Sequence, residues 1–537
     1  MRHLLSVAAL LLAGAATALG QSPTSILSSP HNLSTGGPGR IRAANEAQVC
    51  IFCHTPHNAS ATQPLWNRRI PVEAYRVYSS NSLKSRPGQP TGTSKLCLSC
   101  HDGTIALGSV LSRGQPIVMA GGITTLPPGA SNLGTDLSDD HPISFRYDAA
   151  LLQKNLKLKD PRALTHAVHL DGNSEVQCTS CHNPHNNVFG RFLVIENRHS
   201  ELCNTCHNLG RTDVAQHEVC DGCHKNHTAP SGPYLLTKVR VAETCTTCHG
   251  TGGQASNVAA DLAKVSLHET HSSVSTPNPI PRSVSCGDCH EPHTMRRTTA
   301  TAPALSGPLG EVSGVTLGGT ATTAARFQYE VCFKCHGDQS AVPPAISRQI
   351  VQPNLRFKFH PTAPSFHPVE APGKNSDVPS LLPGLNVSSL IYCTDCHNSD
   401  TSRLAGGSGP NGPHGSTYRP LLIARYETTD NTSESATAYA LCYRCHQRNA
   451  ILSGQQPFPS HKLHVADMHI PCSVCHDAHG ASSTQANVRN NSHLINFDTT
   501  VVLPHPTTGQ LTYTDLGRRH GSCTLSCHNS IHLNKSY

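Results

Sequence analysis

Apolar positions in this chain keep neither a 3.6-residue nor a two-residue period for long. The one sustained apolar run lies in residues 1–20, MRHLLSVAALLLAGAATALG, with a basic start at Arg2 and Ala18-Leu19-Gly20 before Gln21. That layout predicts a secretory signal with a small-residue cleavage site. The run is short for a membrane anchor, no Cys precedes Cys50 to accept a lipid near the cleavage site, and no later segment is apolar enough to span a bilayer. Downstream, a Leu or Val often stands just ahead of a Cys pair, and short helices are predicted at those pairs. Stretches rich in Gly, Pro, Ser and Thr at 114–136, 250–260, 301–325 and 401–416 predict linkers or surface loops. Some of these are expected to hold or border short strands, as around Leu421 to Tyr426.

Composition sharpens the picture. Of 537 residues, 37% are apolar and 4% aromatic, whereas soluble domains sit nearer half apolar. The chain is long enough for several domains but too poor in apolar side chains to fill several ordinary cores. Its charged fraction of 14% is too low for the highly charged kind of disorder. Something other than protein is expected in the interior, and the 24 Cys and 36 His say what.

Every Cys belongs to a pair, and every pair is followed directly by His. In chain order, sites 1 to 4 are Cys50/Cys53/His54, Cys97/Cys100/His101, Cys178/Cys181/His182 and Cys203/Cys206/His207. Sites 5 to 8 are Cys220/Cys223/His224, Cys245/Cys248/His249, Cys286/Cys289/His290 and Cys332/Cys335/His336. Sites 9 to 12 are Cys393/Cys396/His397, Cys442/Cys445/His446, Cys472/Cys475/His476 and Cys523/Cys527/His528. C-x-x-C-H is the attachment signature of c-type haem: two thiols add to the haem vinyl groups, and the following His reaches the iron from one face. Site 12 has one extra residue between its thiols, so its loop is expected to bulge. Structural zinc needs four N/S ligands and would not require a His after every pair, nor would a secreted disulfide framework.

A six-coordinate iron needs a second ligand. After residues 1–20 only Met119, Met295 and Met468 remain, so the second ligand is expected to be His at most sites, which removes one device that raises haem potential. Recurrence selects the candidates. His follows three residues after the attachment His at His57, His185, His227, His293 and His479. It is badly placed to close over its own ring but can reach a neighbour. H-x-x-H precedes three sites, giving His166/His169, His268/His271 and His461/His464, and H-P gives His141 and His367. His31 and His414 complete fifteen candidates for twelve positions. Ligands shared between segments would couple haem binding to folding.

Internal repetition divides the chain after the signal into haem modules at 21–160 (sites 1–2), 161–260 (sites 3–6, the tightest), 261–375 (sites 7–8) and 376–537 (sites 9–12). The expected fold class is a multihaem cytochrome c, haem-organised and loop-rich with short helices and little regular secondary structure. It allots about 43 residues to each haem. Trp66 in PLWNRR is expected to pack on a ring.

The passages CIFCHTPHNA with PLWNR, LCLSCHDGT with DHPISF, and CSVCHDAHG with HLINFD resemble bacterial multihaem cytochromes c with doubled C-x-x-C-H motifs. FPSHKLH is similar to the distal-ligand segment of small low-potential multihaem cytochromes, which implies that His461 and His464 each serve a different haem. The resemblance implies twelve haem c groups with their iron, and electron transfer in the periplasm or at the outer cell surface or beyond it, in anaerobic respiration. Expected partners are other redox proteins or extracellular electron acceptors, with self-assembly into polymers as an alternative setting. The rival reading is a multihaem reductase with one open iron. Some such enzymes carry Lys in place of an attachment His, and all twelve sites here carry His.

The net charge of +7 falls by one with the loss of Arg2. Twelve haems with ionised propionates would then bring it to about −6 oxidised and about −18 reduced, so the basic polypeptide does not point to nucleic acid, and no recognition motif for it is present.

Overall fold

The computed structural model describes residues 25–61, 63–230, 233–268, 284–338, 345–454 and 456–537. The signal expected at 1–20, and His271, lie outside them. Each attachment pair except the last closes a single turn. The backbone N–H of the following His donates to the carbonyl of the first Cys, for example from His54 to Cys50 and from His224 to Cys220, both at 2.8 Å. At sites 3, 7 and 11 the turn is a four-residue helix, Cys178–Cys181, Cys286–Cys289 and Cys472–Cys475. At sites 2, 6 and 8 it ends a longer helix, Gly92–His101, Val241–His249 and Gln328–His336. A helical turn places residues three apart on one side, so both thiols and the His point the same way.

After several sites the chain loops out and returns to pair with its own attachment His, in isolated bridges His54↔Trp66, His182↔Leu193, His224↔Leu236 and His476↔Ile495. Each return runs through left-handed residues, among them Leu65, Arg191, Tyr234 and His493. Such backbone costs energy for non-glycine residues and persists where the surroundings demand it. The reason emerges at the ligand sites below.

The chain divides into two units, Met1–Asn208 with Lys225–Ala229, and Leu209–His224 with Pro230–Tyr537. Sites 1–4 belong to the first and sites 5–12 to the second, so the division runs through the segment 161–260. Among the described residues neither unit has one continuous core. Buried apolar residues form small separate clusters, such as Ala43, Ile51, Phe52, Leu107 and Met119 in the first unit and Tyr329, Phe333, Phe359, Ala363, Phe366 and Val369 in the second. Strands are mostly two-residue ladders that border the predicted loops, including Gly314–Val315 with Ala321–Thr322 and Ser266–Leu267 with Gly415–Ser416. Residues 421–426 form no strand; Leu422 makes only an isolated bridge to Tyr418.

The exception is the C-terminal end. Strands Thr512–Gly517, His520–Cys527 and Ser530–Ser536 form an antiparallel meander, with Val502–Leu503 paired to the end of the central strand. Site 12 therefore sits on a strand, which corrects the expectation of a short helix there. Its apolar residues alternate as Tyr513, Cys523, Leu525 and Cys527 and bury one face against Ile470, Val474 and Phe497.

In the first unit Arg68, fully buried, ties the loop after site 1 to site 2. Its guanidinium donates to the Ser99 hydroxyl (3.2 Å) and to the carbonyls of Leu107 (2.8 Å), Ser99 (2.9 Å) and Ala106 (3.1 Å). Arg68→Ala strands those carbonyls in the interior and is expected to cost about 3 kcal/mol. Urea unfolding should show a lower midpoint with an unchanged slope.

Candidate metal centres

Ten attachment His rings face a second His ring across a gap of nearly constant width. In the first unit the pairs are His54–His185 (5.9 Å between ring centroids), His101–His31 (6.1 Å), His182–His227 (6.2 Å) and His207–His141 (6.3 Å). In the second they are His224–His293 (6.1 Å), His249–His217 (6.3 Å), His290–His414 (6.2 Å), His336–His268 (6.3 Å), His397–His479 (5.9 Å) and His476–His461 (6.4 Å). His446 lies within electrostatic reach of His367. Chance ring contacts would scatter in width; true stacking, as of His31 on Phe192, closes to 4.2 Å. A metal–imidazole bond of about 2 Å plus about 1 Å from nitrogen to ring centre, counted twice, comes to about 6 Å. The gaps fit one metal atom held by two imidazoles.

Hydrogen bonding prepares the rings. A carbonyl can only accept, so a ring Nδ1 facing one must carry the proton, which leaves Nε2 with a free lone pair. Nδ1 faces a carbonyl at His101 (Ser131, 2.6 Å), His182 (Arg191, 2.9 Å), His224 (Tyr234, 2.8 Å), His290 (Pro308, 2.9 Å) and His476 (His493, 2.9 Å). On the opposing side the same holds for His268 (Pro413, 3.0 Å) and His367 (Ala478, 2.6 Å). His227 and His293 donate instead to carboxylates of Asp140 (3.0 Å) and Glu291 (2.7 Å). Arg191, Tyr234 and His493 are residues with left-handed backbone, and that conformation aims their carbonyls at the ring. Burial pushes His414, His446 and His461 down to about 4 and His476 and His479 to about 3, which favours their neutral form. Only the neutral ring can ligate. His227 is instead raised, by its hydrogen bond to Asp140.

The thiols order the sites. Those of Cys97 and Cys178, Cys245 and Cys286, Cys332 and Cys393, and Cys442 and Cys472 come within hydrogen-bonding reach. Their partners are electrostatic neighbours in the other direction: Cys53 with Cys100, Cys181 with Cys206, Cys223 with Cys248, Cys289 with Cys332, Cys396 with Cys445, and Cys475 with Cys523 and Cys527. Within each unit, consecutive sites in sequence are neighbours in space. All 24 Cys are free of disulfides.

The recurrences divide cleanly. His185, His227, His293 and His479 each face the site two before their own. His57 is exposed and faces no attachment ring among the described residues. His166 and His169 are also exposed and face no attachment ring among the described residues; His169 donates Nδ1 to the Ala167 carbonyl (3.3 Å). His31, His141, His268, His367, His414 and His461 stand opposite attachment rings or near them, as paired above. His464 faces His532 (6.4 Å), not an attachment His. Among the described residues His528 faces no second His ring; its Nε2 is 2.8 Å from an Asp430 carboxylate oxygen. His217, opposite His249, belongs to none of the recurrences, and only the lack of a candidate for site 6 could have found it. His532, four residues after His528, falls one position off the recurring spacing. Trp66 meets the edge of the His54 ring at 6.0 Å.

Residues 169–212 and 212–254 match the family model described as doubled CXXCH motif. The arrangement is typical of multihaem c-type cytochromes, in which C-x-x-C-H motifs hold haem c covalently and carry electrons. The match covers sites 3–6. No curated protein matches the chain. Among the described residues no helix is long and apolar enough to cross a membrane.

One clamp sets two opposing rings together. Lys264 Nζ reaches Asp261 and Asp400, both at 2.7 Å, and this locks residues 261–264 to 399–401 beside the ladder of Ser266–Leu267 with Gly415–Ser416. His268 follows one strand and His414 precedes the other. The approach is close enough to need glycine: a Cβ at Gly415 would lie 1.9 Å from the Asp261 carbonyl oxygen. Burial would raise the Asp400 carboxyl, but the Lys264 ammonium and Thr417 hydroxyl outweigh it and hold Asp400 below its usual range. A depressed folded-state value adds stability that is complete above the unfolded Asp value of about 3.9 and is lost as pH falls through the folded one. Asp400→Asn is expected to cost about 1–2 kcal/mol near neutrality, discounted for the water the pair still sees. That cost should shrink below about pH 3, and urea titrations at the two pH values would show it.

Proposed function

We propose that this chain is a dodecahaem c-type cytochrome that passes electrons along a row of low-potential bis-His haems. The observation that carries the reading is the series of ten facing His pairs with gaps near 6 Å, one ring of each belonging to a C-x-x-C-H motif. Haem, once bound, supplies the redox-active iron. The Cys pairs hold its edge, the paired His hold both axial positions, and the carbonyls at Nδ1 keep the rings oriented and basic. Two neutral imidazoles, with no Met, favour a low potential. The order of the thiols supports a row that follows the sequence in each unit. Opposing His at so many sites leaves little room for an open iron, which favours electron transfer over the reductase reading.

The apolar leader in residues 1–20 supports export, with function in the periplasm or at the outer cell surface or beyond it, in anaerobic respiration. Other redox proteins or extracellular acceptors would be the partners. Steering toward them would follow the haem-loaded negative charge and weaken with salt.

Haem analysis of the purified protein should give about twelve haems per chain, low-spin when oxidised. A count far below that, or abundant high-spin iron, would refute the reading. His185→Ala is expected to open one iron, so that about one haem in twelve binds carbon monoxide, whereas His57→Ala should open none.

A further inference from the structure

The twelfth site breaks the pattern of the other eleven, and its geometry points to a different ligand. Building on the haem reading above, we infer that His532, not the attachment-motif His528, is the proximal ligand of the haem carried by Cys523 and Cys527, with His464 on the opposite side.

Strand geometry carries the argument. Side chains alternate faces along a strand, so residues an even number apart share one. Cys523, Leu525 and Cys527 share a face, and all three pack against the same apolar cluster. The usual spacing of three would have split the two thiols between faces, so the extra residue in C-x-x-x-C suits a strand. Directly opposite residues on neighbouring strands also share a face. Leu525 is opposite His532, and Cys523 is opposite Tyr513. His532 is therefore on the face of both thiols, while its neighbours Ile531 and Leu533 are 60% and 58% exposed on the other.

The ring opposite His532 is His464, at 6.4 Å between centroids, the same separation as His476–His461 at the preceding site. His464 has its Nδ1 on the Ser460 carbonyl (2.9 Å), which leaves Nε2 for the gap. Phe458 lies against both His461 (5.0 Å) and His464 (5.4 Å) and meets Tyr537 (4.8 Å), so one aromatic ring packs beside both ligand positions.

His528 is disposed the other way. It follows the end of the strand with φ +48°, and its Nε2 is 2.8 and 3.0 Å from the two Asp430 oxygens. At eight other sites, among them His101, His182, His224 and His476, hydrogen bonding ties up Nδ1 and spares Nε2. Here the nitrogen that would bind iron is the one already engaged.

The test uses the haem-loaded full-length protein, with haem counted by intact mass and the irons examined by electron paramagnetic resonance and carbon monoxide binding. His532→Ala should turn one iron in twelve high-spin and open to carbon monoxide. His532→Met should instead give one Met-ligated low-spin haem, seen by its far-red charge-transfer band. His528→Ala should leave every bound iron low-spin. A His532→Ala protein with twelve low-spin haems, a His532→Met protein without the band, or an open iron in His528→Ala would each overturn the assignment. If the Ala variant fails to retain its twelfth haem, the Met variant decides. A native protein with far fewer than twelve haems would refute the haem reading itself rather than this choice of ligand.

Discussion

A ring nitrogen can bind metal only if it is unprotonated and aimed, and the rest of the structure follows from meeting that condition many times. Each motif turn orients one His. At many sites a nearby backbone carbonyl then accepts a hydrogen bond from Nδ1–H, which fixes the ring with Nε2 free. The left-handed residues that supply carbonyls, such as Tyr234 for His224 and His493 for His476, would be unexplained defects in an ordinary loop. Here each places one oxygen at hydrogen-bonding distance from one ring. A strain of about 1 kcal/mol or more per residue is set against the fixed orientation of a ligand.

The same condition explains why the protein lacks a conventional core. Apolar clusters are small because the space between motif turns is reserved for flat apolar groups, and the side chains that remain line it. Some of the buried charges sit at the sites. Asp477, between His476 and His479, pairs with Lys358 at 2.6 Å, and it accepts from Asn496 at 3.2 Å. Such a pair costs desolvation and is a poor source of stability by itself, but it fixes the short link between two ligand-bearing residues.

Much of this was legible in the residues. The Cys pairs and their following His mark the sites, and four of the five His in C-x-x-C-H-x-x-H lie opposite another site's ring. What the sequence left hidden was distance along the row. Nothing local distinguishes His57 from His185; only the fold shows that His185 stands opposite His54. His217 carries no pattern, because its position is set by the fold around sites 5 and 6. The strand at site 12 was masked by its own motif. C-T-L-S-C-H reads as an expanded attachment loop until Thr512–Gly517 and Ser530–Ser536 are seen beside it, and only then does the alternation of Cys523, Leu525 and Cys527 appear.

The two-site reach of these His has a structural consequence. A ring from site 3 facing site 1 in the first unit, and rings from sites 7 and 11 facing sites 5 and 9 in the second, make segments overlap within each unit. Loop closure costs little more as loops lengthen, and the long Gly- and Pro-rich connections are therefore tolerable so long as their ends are fixed by ligands. The C-terminal sheet departs from that succession: a hairpin strand brings His532 opposite Leu525, on the face that carries both thiols of the site.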